Sequence, residues 1–380
     1  MWMYNIVIPL RNGRLMWVFL GCVTLCIIVT CAMQVKMYVF SIVNMGETGG
    51  MRTSSSRISD KNMHGRPDQK ETVKDKYIVY TCNTGRCGGL ADRQKGIVTA
   101  FVLSQMLGRL FGISMFKPCD ISEFVIPKDV DWTLDSRTLA HLKKEWFVDM
   151  DGNGMGVAMA TGDLEAMFQN DGTMYTGNID LVPYLMKNPL FHKVSWARKL
   201  SHLDIYKYAF EKLFKLSHKT QDKFDEIIGT IDSNHQKLVC AHIRMGKSRT
   251  IPRDNSRKAH RPDPESLIRF FKTRLHPGSD KLFIATDSQQ VRIRFKKAFP
   301  DSYLEAKGQI VHIDRPSGTF ECSAMEKVVL DQYVLSECDT LVMSVSGFSR
   351  LAAIMRGRDE DLFLARGKNV SESPRLSPTL

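Results

Sequence analysis

From Lys237 onward, short apolar runs alternate with stretches of helical periodicity, and this alternation constrains the fold more than any other feature of the chain. Lys237–Ile243, Lys281–Ala285, Ile310–Ile313 and Thr340–Val345 have strand length. Pro264–Leu275, Gln289–Phe299, Ala324–Ser336 and Phe348–Arg356 carry apolar residues near the 3.6-residue period. Strands joined by helical crossovers pair in parallel, so the pattern predicts a doubly wound α/β sheet. Asp263 is placed to cap the helix that opens at Pro264, where a missing N–H costs nothing. The first half is less regular. It reads as a strand at Tyr77–Thr81, a glycine-rich segment Asn83–Gly89 and a helical pattern over Leu90–Phe111. Residues 112–234 read as mixed and mainly helical, with Leu203–Ile228 forming two helices that meet near His218–Thr220. A break near residues 230–236 separates two α/β halves.

Ahead of these halves lies a segment of another kind. Leu15–Met33 is an uncharged apolar run of 19 residues, at about 1.5 Å per residue just long enough for a helix to cross a hydrocarbon core. Arg11 and Arg14 precede it and Lys36 alone follows. That bias orients the N-terminus to the cytosol and the body to the far side, a single-pass type II arrangement. A cleaved signal peptide is the alternative, but Thr30-Cys31-Ala32 is a poor cleavage site. Residues 41–76, rich in Gly, Ser and charge, read as a flexible stem.

Composition narrows the function. With 43% apolar and 25% charged residues over 380, the chain is neither disordered nor low in complexity. The net charge of +12 is spread too thinly for a nucleic-acid domain, and suits a small anionic ligand. Outside the apolar run the cysteines are Cys82, Cys87, Cys119, Cys240, Cys322 and Cys338, an even number that permits pairing in an oxidising lumen. The pairing is not readable, and Cys240, inside an apolar run, is equally consistent with a free buried thiol. Asn369-Val370-Ser371 is a glycosylation sequon.

Ligands of open α/β sheets bind beyond the carboxyl ends of strands, so the residues there carry the chemistry. After Lys237–Ile243 comes Arg244-Met245-Gly246-Lys247, preceded by His242. A guanidinium there can fork two phosphate oxygens and Gly246 lets the backbone come close. After Lys281–Ala285 comes Thr286-Asp287-Ser288, whose carboxylate suits a ribose or base edge, or a helix cap. After Thr340–Val345 comes Ser346-Gly347-Phe348-Ser349, which leads into a helix whose free N–H groups suit an anion. Each signal alone also fits an ordinary cap or surface ion pair. Together they fit one nucleotide diphosphate. Lys247, Arg249, Arg253 and Arg257 follow in a long loop, as further phosphate contacts or solvated charges.

Gly88-Gly89-Leu-Ala-Asp-Arg93, His242-Ile-Arg244-Met-Gly246 and Ser344-Val-Ser-Gly-Phe-Ser-Arg-Leu-Ala-Ala353 together resemble the fucosyltransferase superfamily, the α1,2-, α1,6- and protein O-fucosyltransferases. The resemblance implies two Rossmann-like domains of the GT-B type, GDP-fucose as donor, no metal or cofactor, and inversion at the sugar carbon. It places Arg244 on the β-phosphate as the catalytic cation. It places Ser346, Phe348 and Ser349 on the phosphate and fucose, His242 and Gly246 beside them, and Asp287 on the nucleoside. Gly88 and Gly89 become the lip of the opposite domain, and Asp92 a candidate base. The implied division is a cytosolic tail at 1–14, an anchor at 15–35, a stem at 36–76, an acceptor-side domain at 77–234, a donor domain at 235–365 and a loose tail at 366–380. The expected partners are a nucleotide sugar, a glycan or glycoprotein acceptor and the Golgi membrane. Alternatives are another nucleotide-sugar transferase, or an inactive anchored glycan-binding protein. The chain departs from the family pattern at Lys247, where Asp is common, and at Asp92-Arg93, where Asn-Gln is common.

Asp149-Met-Asp-Gly-Asn-Gly154 resembles a calcium loop, but its twelfth position is Ala160 where a bidentate Glu is needed. Asp129-Val-Asp131 and Asp149-Met-Asp151 match a triplet common by chance.

Overall fold

The computed structural model describes residues 75–83, 87–149, 154–232, 235–315 and 320–374. The expected anchor and the stem up to residue 74 lie outside the described residues. No helix among those described is long and apolar enough to cross a membrane.

The first half is built on a parallel sheet. Strands β1 (Tyr77–Thr81), β2 (Leu110–Ser114), β4 (Lys144–Asp149) and β5 (Gly172–Gly177) take the order β2-β1-β5-β4. The expected strand Tyr77–Thr81 is confirmed residue for residue. The helical pattern does not run to Phe111: helix α1 spans Leu90–Leu107 and ends at Gly108, whose φ of 61° fits a left-handed cap. The residues after it form β2. β4 and β5 escaped the sequence reading because KEWFVD and GTMYTG mix polar residues and glycine into short runs. A two-stranded antiparallel ribbon joins β3 (Val125–Pro127) to β6 (Phe214–Leu216). β6 separates helices α2 (His202–Leu213) and α3 (His218–Ile228), close to where two helices were expected to meet.

The second half carries a sheet of order β12-β11-β10-β7-β8-β9, with β7 at Leu238–Ile243, β8 at Lys281–Thr286, β9 at Tyr303–Leu304, β10 at Thr340–Ser344, β11 at Leu362–Arg366 and β12 at Asn369–Glu372. All its neighbours are parallel except β11 and β12. Helices α4 (Pro264–Arg274), α5 (Gln289–Ala298), α6 (Cys322–Glu337) and α7 (Gly347–Arg356) supply the crossovers. β7 and β10 are buried at every position, as central parallel strands covered on both faces should be.

Two expectations fail here. Ile310–Ile313 is not a strand; β9 takes the edge beside β8. Val311 and Ile313 pack instead into the apolar core of the first half, so an apolar run that resembles a strand is buried by the other domain. Residues 366–374, the described part of the expected tail, are not loose either. Gly367, with φ of 57°, turns the chain back as a hairpin, and β12 closes the sheet edge with Asn369 exposed.

The halves share material. Met325 and Val329 of α6 and Leu351 and Ile354 of α7 enter the core of the first half. Gln94 of α1 and Gln332 of α6 exchange amide hydrogen bonds at 2.5 and 2.9 Å. Cys119 is bonded to Cys322 across the halves, Cys82 to Cys87, and Cys240 to Cys338, so Cys240 is not a free thiol. In the first of the two Asp-x-Asp triplets, Asp129 is engaged by Lys212 and Asp131 by Thr133.

The 203-residue separation between Cys119 and Cys322 makes this bridge a strong restraint on the unfolded chain. Replacing both by serine should lower unfolding stability by about 2–5 kcal/mol in chemical denaturation. An unchanged midpoint would contradict the bridge.

Candidate functional site

β7 and β10 are neighbours, and the chain winds away from them in opposite directions, β8 and β9 to one side and β11 to the other. Such a reversal leaves a crevice at the carboxyl ends of the strands. A cleft of about 220 Å³ opens there.

Arg244 leaves β7 and lines the cleft. Its backbone N–H donates to Ser344 Oγ of β10 at 3.0 Å. Its guanidinium meets Asp254 at 2.5 Å and also Asp287, and the side chain is only 11% exposed. The Asp287 carboxylate further accepts the N–H groups of Met245 at 2.7 Å and Gly246 at 2.8 Å. One carboxylate from the end of β8 thus shapes the turn after β7 and aims its arginine. Gly246 is required by that turn: its φ is 72°, and a Cβ would stand 2.8 Å from the Asn255 carbonyl oxygen. It serves the backbone and is not part of the cleft wall.

The loop after Gly246 doubles back through a bridge between Gly246 and Ser256. It returns Arg257 to the cleft, where the guanidinium donates to the Val345 carbonyl at 2.7 Å. Of the basic residues in this loop, only Arg257 lines the cleft beside Arg244.

Ser346 caps α7, its hydroxyl accepting the Phe348 N–H at 3.3 Å, and Ser346, Gly347 and Phe348 form one wall. Gly89, Leu90, Ala91 and Asp92, the first residues of α1 and its cap, form the facing wall. The two helix ends come close: a Cβ on Gly347 would lie 3.5 Å from Ala91 Cβ and 3.8 Å from Lys95 Nζ. Helix N-termini carry unpaired N–H groups and partial positive charge, so one cleft receives two such ends together with two guanidinium groups.

Asp92 serves α1 first. Its Oδ2 accepts the Gly89 N–H at 3.1 Å and its Oδ1 pairs with Lys95 at 2.9 Å. At 40% side-chain exposure it still reaches the cleft. Gly88 stands behind the wall with φ of 79°, where a Cβ would lie 2.6 Å from Asp92 Oδ2. Ser349 is buried, and its hydroxyl donates to the Ser344 carbonyl at 3.1 Å; it is not brought to the cleft.

His242 is 7% exposed, its ring 4.9 Å from that of Phe348, and its Nδ1 has no hydrogen-bond partner. Burial pushes its pKa down to about 3, and Arg244 and Arg257 push the same way, so the ring is neutral. Burial pushes Asp254 up, but Arg244, the Asn255 N–H and His312 together hold it below the usual carboxylate range. Two further groups were missed by the sequence reading. Lys327 and Asp331, one turn apart on α6, form a buried pair at 2.7 Å in the cleft wall. Burial raises the Asp331 pKa against the pull of Lys327. His312 also lines the cleft, in the run taken for a strand. An i, i+4 Lys–Asp pair is a common surface feature, and nothing in the sequence marked this one as buried.

The fold has counterparts among solved structures. Arabidopsis thaliana FUT1, solved as a mutant in complex with GDP, matches at 12% identity with a TM-score of 0.55, over 76% of this chain and 70% of that one. The fucosyltransferase NodZ from Bradyrhizobium matches at 14% identity with a TM-score of 0.51, over 79% of this chain and 99% of that one. At these identities the likeness is one of fold: the chain is built as these fucosyltransferases are. No family model and no curated protein match the sequence.

The neutral, buried His242 has a consequence for stability. Its folded pKa lies below its unfolded value near 6.5, so the unfolded chain takes up the proton first. The contribution is complete above pH 6.5 and is lost on acidification, at up to about 1.4 kcal/mol per pH unit. His242→Phe should flatten the fall in unfolding free energy between pH 6.5 and 4.5 by roughly one proton's worth of slope. An unchanged slope would contradict the neutral assignment.

Proposed function

We propose that this chain is a fucosyltransferase-like glycosyltransferase that holds the diphosphate of GDP-fucose in the cleft and transfers the sugar, with inversion, to a hydroxyl of a glycan or glycoprotein. One observation carries the reading. Arg244 and the Ser346-capped tip of α7, from adjacent strands, line a single cleft, with the tip of α1 opposite. That is a built anion site, and the counterparts of the fold include a protein solved with GDP. Three disulfides and the apolar run at Leu15–Met33 support a Golgi type II membrane protein whose body lies in an oxidising lumen.

In this reading the bond from the sugar carbon to the β-phosphate oxygen breaks, and negative charge builds on the departing GDP. Arg244, fixed by Asp254 and Asp287 before substrate arrives, counters that charge without having to reorganise. The N–H groups at the start of α7 share the load, and the chemistry needs no metal ion. His242 and Phe348 form an uncharged floor beside it. Asp331, buried and bonded to Lys327, offers its remaining lone pairs to the N–H edge of a purine. Asp92, which borders the cleft on the α1 wall, is the candidate for taking the acceptor proton. A second reading, an inactive anchored glycan-binding protein, draws on the pairing of Arg244 with two carboxylates, which leaves that guanidinium less charge to offer an anion.

Arg244→Ala should weaken GDP binding by roughly 10-fold or more in calorimetry and remove release of GDP from GDP-fucose. Wild-type chain that ignores GDP, or that consumes UDP-sugars instead, would contradict the donor assignment. Asp92→Asn should keep GDP affinity while lowering turnover by about 10²–10⁴-fold. Unchanged turnover would remove Asp92 as the base.

A further inference from the structure

The turn His312–Arg315 lies against the α1 wall of the cleft, and its three polar side chains each take a different partner. The Arg315 N–H donates to the His312 carbonyl at 2.9 Å, closing the turn. Asp314 accepts the Gly88 N–H at 3.1 Å, fastening the turn to the start of α1. Arg315 pairs with Asp254 at 3.0 Å, and Asp254 in turn holds Arg244 at 2.5 Å. The third side chain, His312, enters the cleft. Its Cε1 and Nε2 edge faces Gly89, at 3.8 and 3.9 Å from where a Cβ on that glycine would stand. Glycine at that point keeps the edge of the ring uncovered.

The ring's other nitrogen is engaged. His312 Nδ1 accepts the Asp314 N–H at 3.4 Å, which leaves the proton of a neutral imidazole on Nε2. Burial lowers the pKa of His312, as does Arg244, against the pull of Asp254. The ring therefore presents an N–H donor to the space between Arg244 and the tip of α1.

We propose that His312 donates its Nε2–H to the diphosphate of the bound nucleotide sugar, and that the turn which carries it couples the α1 wall to Arg244. This rests on the nucleotide-diphosphate reading of the cleft. The chemistry of the cleft favours such a donor. Arg244, Arg257 and Lys327 face Asp92, Asp287 and Asp331 in the lining, so formal charge there cancels. A diphosphate has more acceptor oxygens than one committed guanidinium can serve, and neutral N–H groups from both walls fill the remainder.

The test compares wild-type chain with His312→Ala and His312→Gln in calorimetric titration with GDP. Gln places an amide N–H near the position of Nε2. His312→Ala should weaken GDP binding by roughly 10- to 100-fold, and His312→Gln should stay within about threefold of wild type. Rescue by Gln, with melting temperatures alike in all three proteins, identifies the donated hydrogen bond as the cause. GDP bound equally by wild type and His312→Ala would overturn the contact and leave the transferase reading standing, as would Gln binding as weakly as Ala. Wild type that binds UDP in place of GDP would overturn the guanine assignment alone, with the same variants then read on UDP. Wild type that binds neither nucleotide nor pyrophosphate would overturn both.

Discussion

The Asp287 carboxylate organises the site. It bonds two backbone N–H groups of the turn after β7 and the guanidinium that the turn carries. A short turn with a left-handed glycine has little stability alone; a carboxylate from the neighbouring strand fixes it. Ser344, from the strand on the other side, accepts the Arg244 N–H and donates to the His242 carbonyl. Arg244 is therefore held by both neighbours of β7, and its position relative to the tip of α7 follows from the sheet register. A site that must counter charge as it develops needs this kind of fixed donor, because reorganising a loose one would consume the gain.

The second constraint is the coupling of the halves. A cleft with one helix tip from each half works only if the halves keep their spacing. Here a disulfide, a reciprocal amide pair and a shared apolar core set that spacing. The two helix tips come so close that a Cβ on Gly347 would stand 3.5 Å from Ala91 Cβ.

Much of the second half was legible in the sequence. Its strands are buried on both faces, so they read as unbroken apolar runs, and the helices between them have marked periods. Arg244, Ser346 and Phe348 were found because strand ends in such sheets are where ligands sit, and the structure does bring them to one cleft. The first half was harder: β4 is an edge strand whose Trp146 and Val148 face solvent, and β5 opens and closes on glycine. Ile310–Ile313 misled because burial against the other half and burial in a sheet leave the same apolar signature. Asp287, expected at the nucleoside, proves to be bonded to the Arg244 turn while also lining the cleft; a cap, a ligand contact and a clamp look alike in sequence. Arg257 and His312 depend on how long loops fold back, which no local pattern encodes.

The central claim is that one diphosphate lies between Arg244 and the start of α7. A crystal structure of the protein with GDP tests this most directly. The account predicts the β-phosphate within hydrogen-bond distance of the Arg244 guanidinium and of the N–H groups at Gly347 or Phe348, with Asp287 still on the amides of Met245 and Gly246. Nucleotide bound away from the carboxyl ends of β7 and β10, or an Arg244 that keeps only its two carboxylates while GDP sits elsewhere, would contradict it.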